Sequence, residues 1–302
     1  NTKSPHVHTL PGKVEKMSIH LFDKSNHPSP YSPTEIKYEL HENGTALCTL
    51  NTPKNLNALT QAQQWDMFAI LEHAAQDDNV RCLVWTGEGR AFSSGAALGK
   101  GNAQTTINTE IQDAMKSRGM GPDGTMVLKS LTLAFWDFPK PSVVAVNGLA
   151  VGGAANIALV NFHDLVYCAE EARFKYPFAD LGFTPELGSS MMMPQLVGMA
   201  RSKEIMFLGD WFSAHEAKEM GLVNKVYSQA DLMPAVMKIA DRLCNTHPGS
   251  LTNSKKILNN TMRKQMEQAL NDEQMQFMQA FRDTGGPGGV AKWKKANVSA
   301  KL

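Results

Sequence analysis

The sequence predicts an α/β protein built on a largely parallel sheet. Three observations carry the prediction: short apolar runs that end in glycine turns, helical segments behind them, and recurrence of that strand–helix unit along the chain. Residues 1–33 hold Pro5, Pro11, Pro28, Pro30 and Pro33 with little periodicity, and read as an N-terminal arm. Order begins near Glu35, where IKYEL, the turn His41-Glu42-Asn43-Gly44 and TALCTL form a hairpin pattern. Over 60–76, Trp65, Phe68, Leu71 and Ala75 recur at helical spacing, with Thr60 as the N-cap. Arg81 to Thr86 (RCLVWT) is a buried strand that stops at Gly87. The unit then recurs: PSVVAV over 141–146, the turn Asn147-Gly148, a small-residue helix over 152–161, and a strand over 164–169. Between the two units, 99–129 is polar with weak helical character and reads as substrate-side structure. From Leu232 the chain is Met-rich, charged and helical (233–245, then 248–282), until Gly285-Gly286-Pro287-Gly288-Gly289 breaks it before a basic tail.

Composition excludes several classes of function. Of the 302 residues, 42% are hydrophobic and 20% charged, as in a folded soluble protein. A net charge of +1 lacks the field of a nucleic-acid or membrane-surface binder, so neither partner is expected. Cys48, Cys82, Cys168 and Cys244 stand far apart without CxxC spacing, and read as buried free thiols in a reducing compartment. The apolar stretch Leu149 to Val160 is 12 residues and too short for a bilayer. The start lacks the apolar core of a secretory signal, so an intracellular protein is expected.

Two turns and one acid carry the candidate chemistry. The turn Arg90 to Ala97 follows RCLVWT, and the turn Asn147 to Gly153 follows PSVVAV, each at the carboxyl end of a strand, where open α/β sheets place ligands. The second opens a helix whose first N–H groups have no internal acceptor. Facing one another, two such turns would hold two donors around one oxygen. Taken singly, either is an ordinary strand-end turn. Glu186 stands alone in FTPELGSSMMM, where desolvation would raise its pKa toward neutrality and suit it to carry a proton. Capping of a helix beginning near Ser189, or pairing with a distant Arg, are the other readings. His163-Asp164 with Ser93 or Ser94 imitates a triad, but no G-x-S-x-G elbow occurs, and capping and burial account for the pair. The nine histidines show no H-x-x-x-H spacing, so no metal is expected.

In order and spacing, RAFSSGAALGK, AVNGLAVGGAANIAL, HDLVYCAEEARFKYPFADLGFTPELGSS and MFLGDWFSAHEAKEMGLVNKVY resemble the enoyl-CoA hydratase/isomerase (crotonase) superfamily. The resemblance runs from about Glu35 to the C-terminus, and YPFADLGFTPELGSS is most similar to the peroxisomal Δ3,Δ2-enoyl-CoA isomerases. It implies an α/β fold of the crotonase-like ββα spiral type over 34–231, a helical C-terminal trimerisation region over 232–302, and an acyl-CoA substrate. Carried over residue by residue, the oxyanion-hole N–H groups fall on Ala96 and Gly153. Ser93, Ser94, Gly95, Asn156 and Phe178 fall at substrate-binding positions. Family hydratases place two glutamates where this chain has Asn156 and Phe178, so hydration should be lost or very weak. The acid of the isomerases falls on Glu186. The chain departs from the pattern at Ala97, where an acid is usual, and at Val290, where a bulky residue is usual. Between Gly152 and Asp164 it is two residues longer.

The resemblance thus implies isomerisation of 3-enoyl-CoA to 2-trans-enoyl-CoA, with no cofactor beyond the coenzyme A of the substrate. Two other readings stand beside it. One is a different reaction of the superfamily: a dienoyl-CoA isomerase, a nucleophilic dehalogenase or hydrolase, or a weak hydratase. The other is a non-catalytic acyl-CoA-binding protein. A homotrimer or homohexamer is implied. Lys292, Lys294 and Lys295 read either as contacts to CoA phosphates or as a solvated basic end. Ala300-Lys301-Leu302 is a near match to the S-K-L address, which predicts a peroxisomal import receptor as partner and a peroxisomal or related microbody matrix location.

Overall fold

The computed structural model describes residues 15–16, 19–22, 28–97, 125–160 and 162–297. Ala300-Lys301-Leu302, most of 99–129 and much of the arm lie outside them. Within the arm, β1 (Glu15–Lys16) joins the main sheet, and β2 (Ile19–Phe22) pairs with β3 (Pro28–Tyr31) as a two-stranded ribbon. The ribbon leans on the next helix: His20 N–H donates to Nδ1 of His73 at 3.3 Å. The predicted hairpin forms as β4 (Ile36–Leu40) and β5 (Thr45–Leu50), with Ile36 opposite Leu50. α1 (Gln61–Gln76) follows, and the Thr60 hydroxyl accepts from Gln63 N–H as its N-cap.

The body of the chain is a spiral of three strand–strand–helix turns. The first is β6 (Cys82–Gly87), β7 (Ala91–Ser93) and α2 (Thr125–Asp137). The second is β8 (Ser142–Val146), β9 (Leu149–Val151) and α3 (Gly153–Leu159), and the third is β10 (Leu165–Ala169), β11 (Arg173–Lys175) and α4 (Phe178–Leu181). In each turn the first strand enters a seven-stranded sheet and the second enters a four-stranded sheet. The large sheet is parallel from β5 onward, and β6 and β8 are buried at every residue, which is why both read as continuous apolar runs. The second strands are only three residues long. That is too short for a period-two pattern, so the sequence shows them as turns.

Beyond the spiral come α5 (Ser189–Val197), α6 (Met199–Leu208), β12 (Phe212–Ser213), α7 (Ala214–Glu219), β13 (Lys225–Tyr227), α8 (Gln229–Cys244), α9 (Pro248–Asn260), α10 (Arg263–Thr284) and α11 (Gly286–Asn297). The large sheet runs in the order β1-β4-β5-β6-β8-β10-β13 and the small one β12-β11-β9-β7. The boundary drawn at 231/232 falls inside α8. That helix lays Leu232, Val236 and Ala240 on Val84, Val143 and Ala169 of the large sheet, and so belongs to the core. All four cysteines are buried and free.

Candidate active site

The small sheet explains how distant segments meet. β7 pairs with β9 and β9 with β11, all parallel, so the segments leaving their carboxyl ends are neighbours. After β7, Gly95 takes a φ of +85°, and a Cβ there would run into the Val151 carbonyl of the next turn. Leu59 N–H donates to Gly95 O at 2.9 Å and Ala97 N–H to Leu59 O at 3.3 Å. This bridge alternates along the backbone, so the Ala96 N–H points to the opposite side. After β9, Gly152 takes a φ of +58° and Gly153 opens α3. The first bond of that helix is Asn156 N–H to Gly152 O at 3.1 Å, which leaves the Gly153 N–H ahead of the ladder.

Glu186 comes from the segment after α4 and reaches the second turn. A Cβ on Gly153 would sit 2.7 Å from Glu186 Oε1, so the carboxyl lies against the opening of α3. Its main chain is tightly held: the Glu186 carbonyl accepts from Asn156 Nδ2 at 2.9 Å and from Ser189 Oγ at 2.7 Å. Leu187 follows with a left-handed φ of 59°, a conformation that costs a bulky residue about 1–2 kcal/mol. Leu128, Leu187, Leu270 and Phe277 wall the recess with apolar surface. The residue is half-buried, but its carboxyl end is enclosed, and burial raises its pKa to about 7, with the nearby Glu273 carboxyl adding to the rise. Among the described residues no Lys or Arg forms an ion pair with it.

The other sequence-predicted residues divide. Asn156 is fully buried on α3 and joins the site as the support of the Glu186 carbonyl. Ser93 is fully buried, and its Oγ accepts from Gly95 N–H at 3.2 Å, so it shapes the turn. Ser94 N–H donates to Leu56 O at 2.9 Å, and its hydroxyl faces Asn55 O. Phe178 is buried at the start of α4 beside the Tyr176 ring, and none of its described contacts reaches Glu186. The triad imitation does not assemble. His163 Nδ1 bonds Ser142 Oγ at 2.8 Å, and burial, helped by Lys255, pushes its pKa down to about 3. Asp164 accepts from Ser142 N–H and Lys255. No group of three or more His, Cys, Asp or Glu among the described residues is placed to hold a metal ion.

Two supporting residues escaped the sequence reading. Asn57 is fully buried and left-handed, and its side-chain amide donates to Glu88 O and Ala91 O, tying its loop to the entry of β7. An Asn between apolar residues was the available signal. Glu273 lies on α10, 7% exposed, and reaches the Glu186 turn from outside the spiral. No local pattern marks it, because it sits in a helix rich in other charged and polar residues.

Two strand-end turns whose N–H groups stand outside the backbone ladder, with a protonatable acid beside the second, suit carbon-acid chemistry on an activated carbonyl. The enoyl-CoA hydratase/isomerase family matches residues 41–294. The chain is 32% identical over 241 residues to the short-chain-enoyl-CoA hydratase of Clostridium acetobutylicum, covering 80% of this chain and 87% of that one. It is 31% identical over 239 residues to enoyl-CoA delta isomerase 2 of Rattus norvegicus, covering 79% of this chain and 58% of the rat protein, less than two thirds of its length. The crystal structure of an enoyl-CoA hydratase/isomerase from Pseudoalteromonas atlantica T6c is similar with a TM-score of 0.74 at 26% identity, over 87% of this chain and 98% of that one. The chain belongs to the enoyl-CoA hydratase/isomerase family, and its fold is the crotonase-like spiral.

Proposed function

We propose that the protein is a Δ3,Δ2-enoyl-CoA isomerase serving the β-oxidation of unsaturated fatty acids. The supporting observation is the Glu186 carboxyl set against Gly153; by the family resemblance, Asn156 and Phe178 fall where hydratases carry glutamates. In this reading the thioester carbonyl oxygen accepts from the N–H groups of Ala96 and Gly153. Glu186 as carboxylate takes a proton from C2. The C2–H electron pair enters a dienolate whose negative charge rests on that oxygen. The same acid returns the proton to C4, leaving the double bond between C2 and C3. One acid with a pKa near the working pH serves both steps, so a second is not required.

Glu186→Gln tests it directly. Binding of acyl-CoA should persist while isomerisation falls roughly 10²–10⁴-fold, read by absorbance on 3-hexenoyl-CoA. Full activity in that variant removes Glu186 from the mechanism. The same assay on wild-type protein should give isomerisation well above hydration of 2-enoyl-CoA, and dominant hydration would refute the assignment. The reading extends to a homotrimer or homohexamer and to a peroxisomal or related microbody location.

A further inference from the structure

The turn that carries Glu186 is fastened from outside the spiral. Gly188 N–H donates to Glu273 Oε2 at 2.8 Å and Ser190 N–H to Glu273 Oε1 at 2.9 Å. These donors open α5, whose first N–H groups have no partner within the helix, and a buried carboxylate accepting from both is a strong, directional clamp. On its other side the turn is held by Asn156 of α3 through the Glu186 carbonyl. Glu186 is therefore suspended between the spiral and helix α10.

We propose that Glu273 is a positioning residue: it locks the Glu186–Ser190 turn to α10 and presents a second negative charge to the Glu186 carboxyl. The inference rests on Glu186 being the proton carrier. Among the described residues, Glu273 and Lys129 are the charged groups that line the recess with it, from α10 and α2, while α3 and α5 carry no charged residue. Lys129 is turned to Asn271 Oδ1 at 2.6 Å. Burial is the first cause of the raised Glu186 pKa, and among the described residues Glu273 is the charged neighbour that adds to it. Removing its charge should let Glu186 ionise more readily, and loosening the clamp should misplace it.

The test is Glu273→Gln beside Glu273→Asp, each checked for a wild-type-like melting transition. Carboxyl-labelled glutamate is followed by carbon NMR against pH, with the Glu186 signal assigned through Glu186→Gln. In Glu273→Gln, Glu186 should titrate at lower pH than in wild type. The acidic limb of the kcat/KM profile for 3-enoyl-CoA should move the same way, and kcat should fall about 10–10²-fold with KM little changed. Glu273→Asp, which keeps the charge and loses reach, should hold the titration near wild type and still lower kcat. An unchanged titration with unchanged kcat in folded Glu273→Gln would overturn the proposal. If Glu273→Gln does not fold, wild-type kcat in Glu273→Asp overturns it instead. Full activity of Glu186→Gln would sink the proton-carrier reading itself and is scored separately.

Discussion

Glu186 was legible because it is a lone carboxylate in an apolar and small-residue neighbourhood, and such an acid either finds a partner or has its pKa raised. The structure decides between these outcomes by setting its carboxyl against Gly153 among apolar walls. Gly153→Ala should therefore be damaging even though alanine suits a helix. The added methyl would sit 2.7 Å from Glu186 Oε1, and the acid must move. Turnover should fall about 10²-fold, with the melting temperature nearly unchanged, as read by steady-state kinetics beside a thermal melt. Wild-type kcat in a folded Gly153→Ala variant would show that the acid does not work from this position. With a pKa of about 7, Glu186 gains its proton as pH falls below neutrality. Since the base must be ionised, kcat/KM should decline there by about tenfold per pH unit; a flat profile from pH 5 to 8 would contradict the role.

Among elements, the hairpin, α1 and the first strand of each spiral turn were legible, because each satisfies its own periodicity or runs apolar throughout. The second strands were not: β7, β9 and β11 have three residues each and exist because they pair with one another. The segment before the hairpin shows the same dependence on partners. Asp66 of α1 accepts from Tyr31 OH, from Thr34 N–H at 2.8 Å and from Glu35 N–H at 2.7 Å, fastening the chain ahead of β4 to the helix. Burial, opposed in part by these bonds, raises the Asp66 pKa to about 6. A raised folded-state pKa means that the native protein binds more protons than the unfolded chain between about pH 4 and 6. Stability from this group is present below that window and lost as pH rises through it, by on the order of 2–3 kcal/mol. Asp66→Asn stays neutral and removes the dependence. Denaturation midpoints of wild type should fall relative to Asp66→Asn between pH 4 and 6, and parallel curves would refute the linkage.

The whole molecule leaves apolar side chains uncovered on α6, where Met199, Phe207 and Leu208 are 58%, 67% and 61% exposed. Patches of that kind mark interaction surfaces, and they sit outside the 232–302 region to which the sequence assigned assembly. Phe207→Asp should break a homo-oligomer. Light scattering on wild type should give a multiple of the 33.1 kDa chain, and the variant should shift toward a single chain; a monomeric wild type would refute the assembly. The sequence by itself determined the strand-and-helix alternation, the two glycine turns and the isolated acid, because each depends on the chemistry of a few adjacent residues. Tertiary structure alone decided that β7, β9 and β11 lie side by side, that Asn156 grips the turn carrying Glu186, and that Glu273 reaches it from α10. Those relations join segments far apart in the chain. Their physical cause is the pairing of backbone donors and acceptors across the spiral, which no local pattern records.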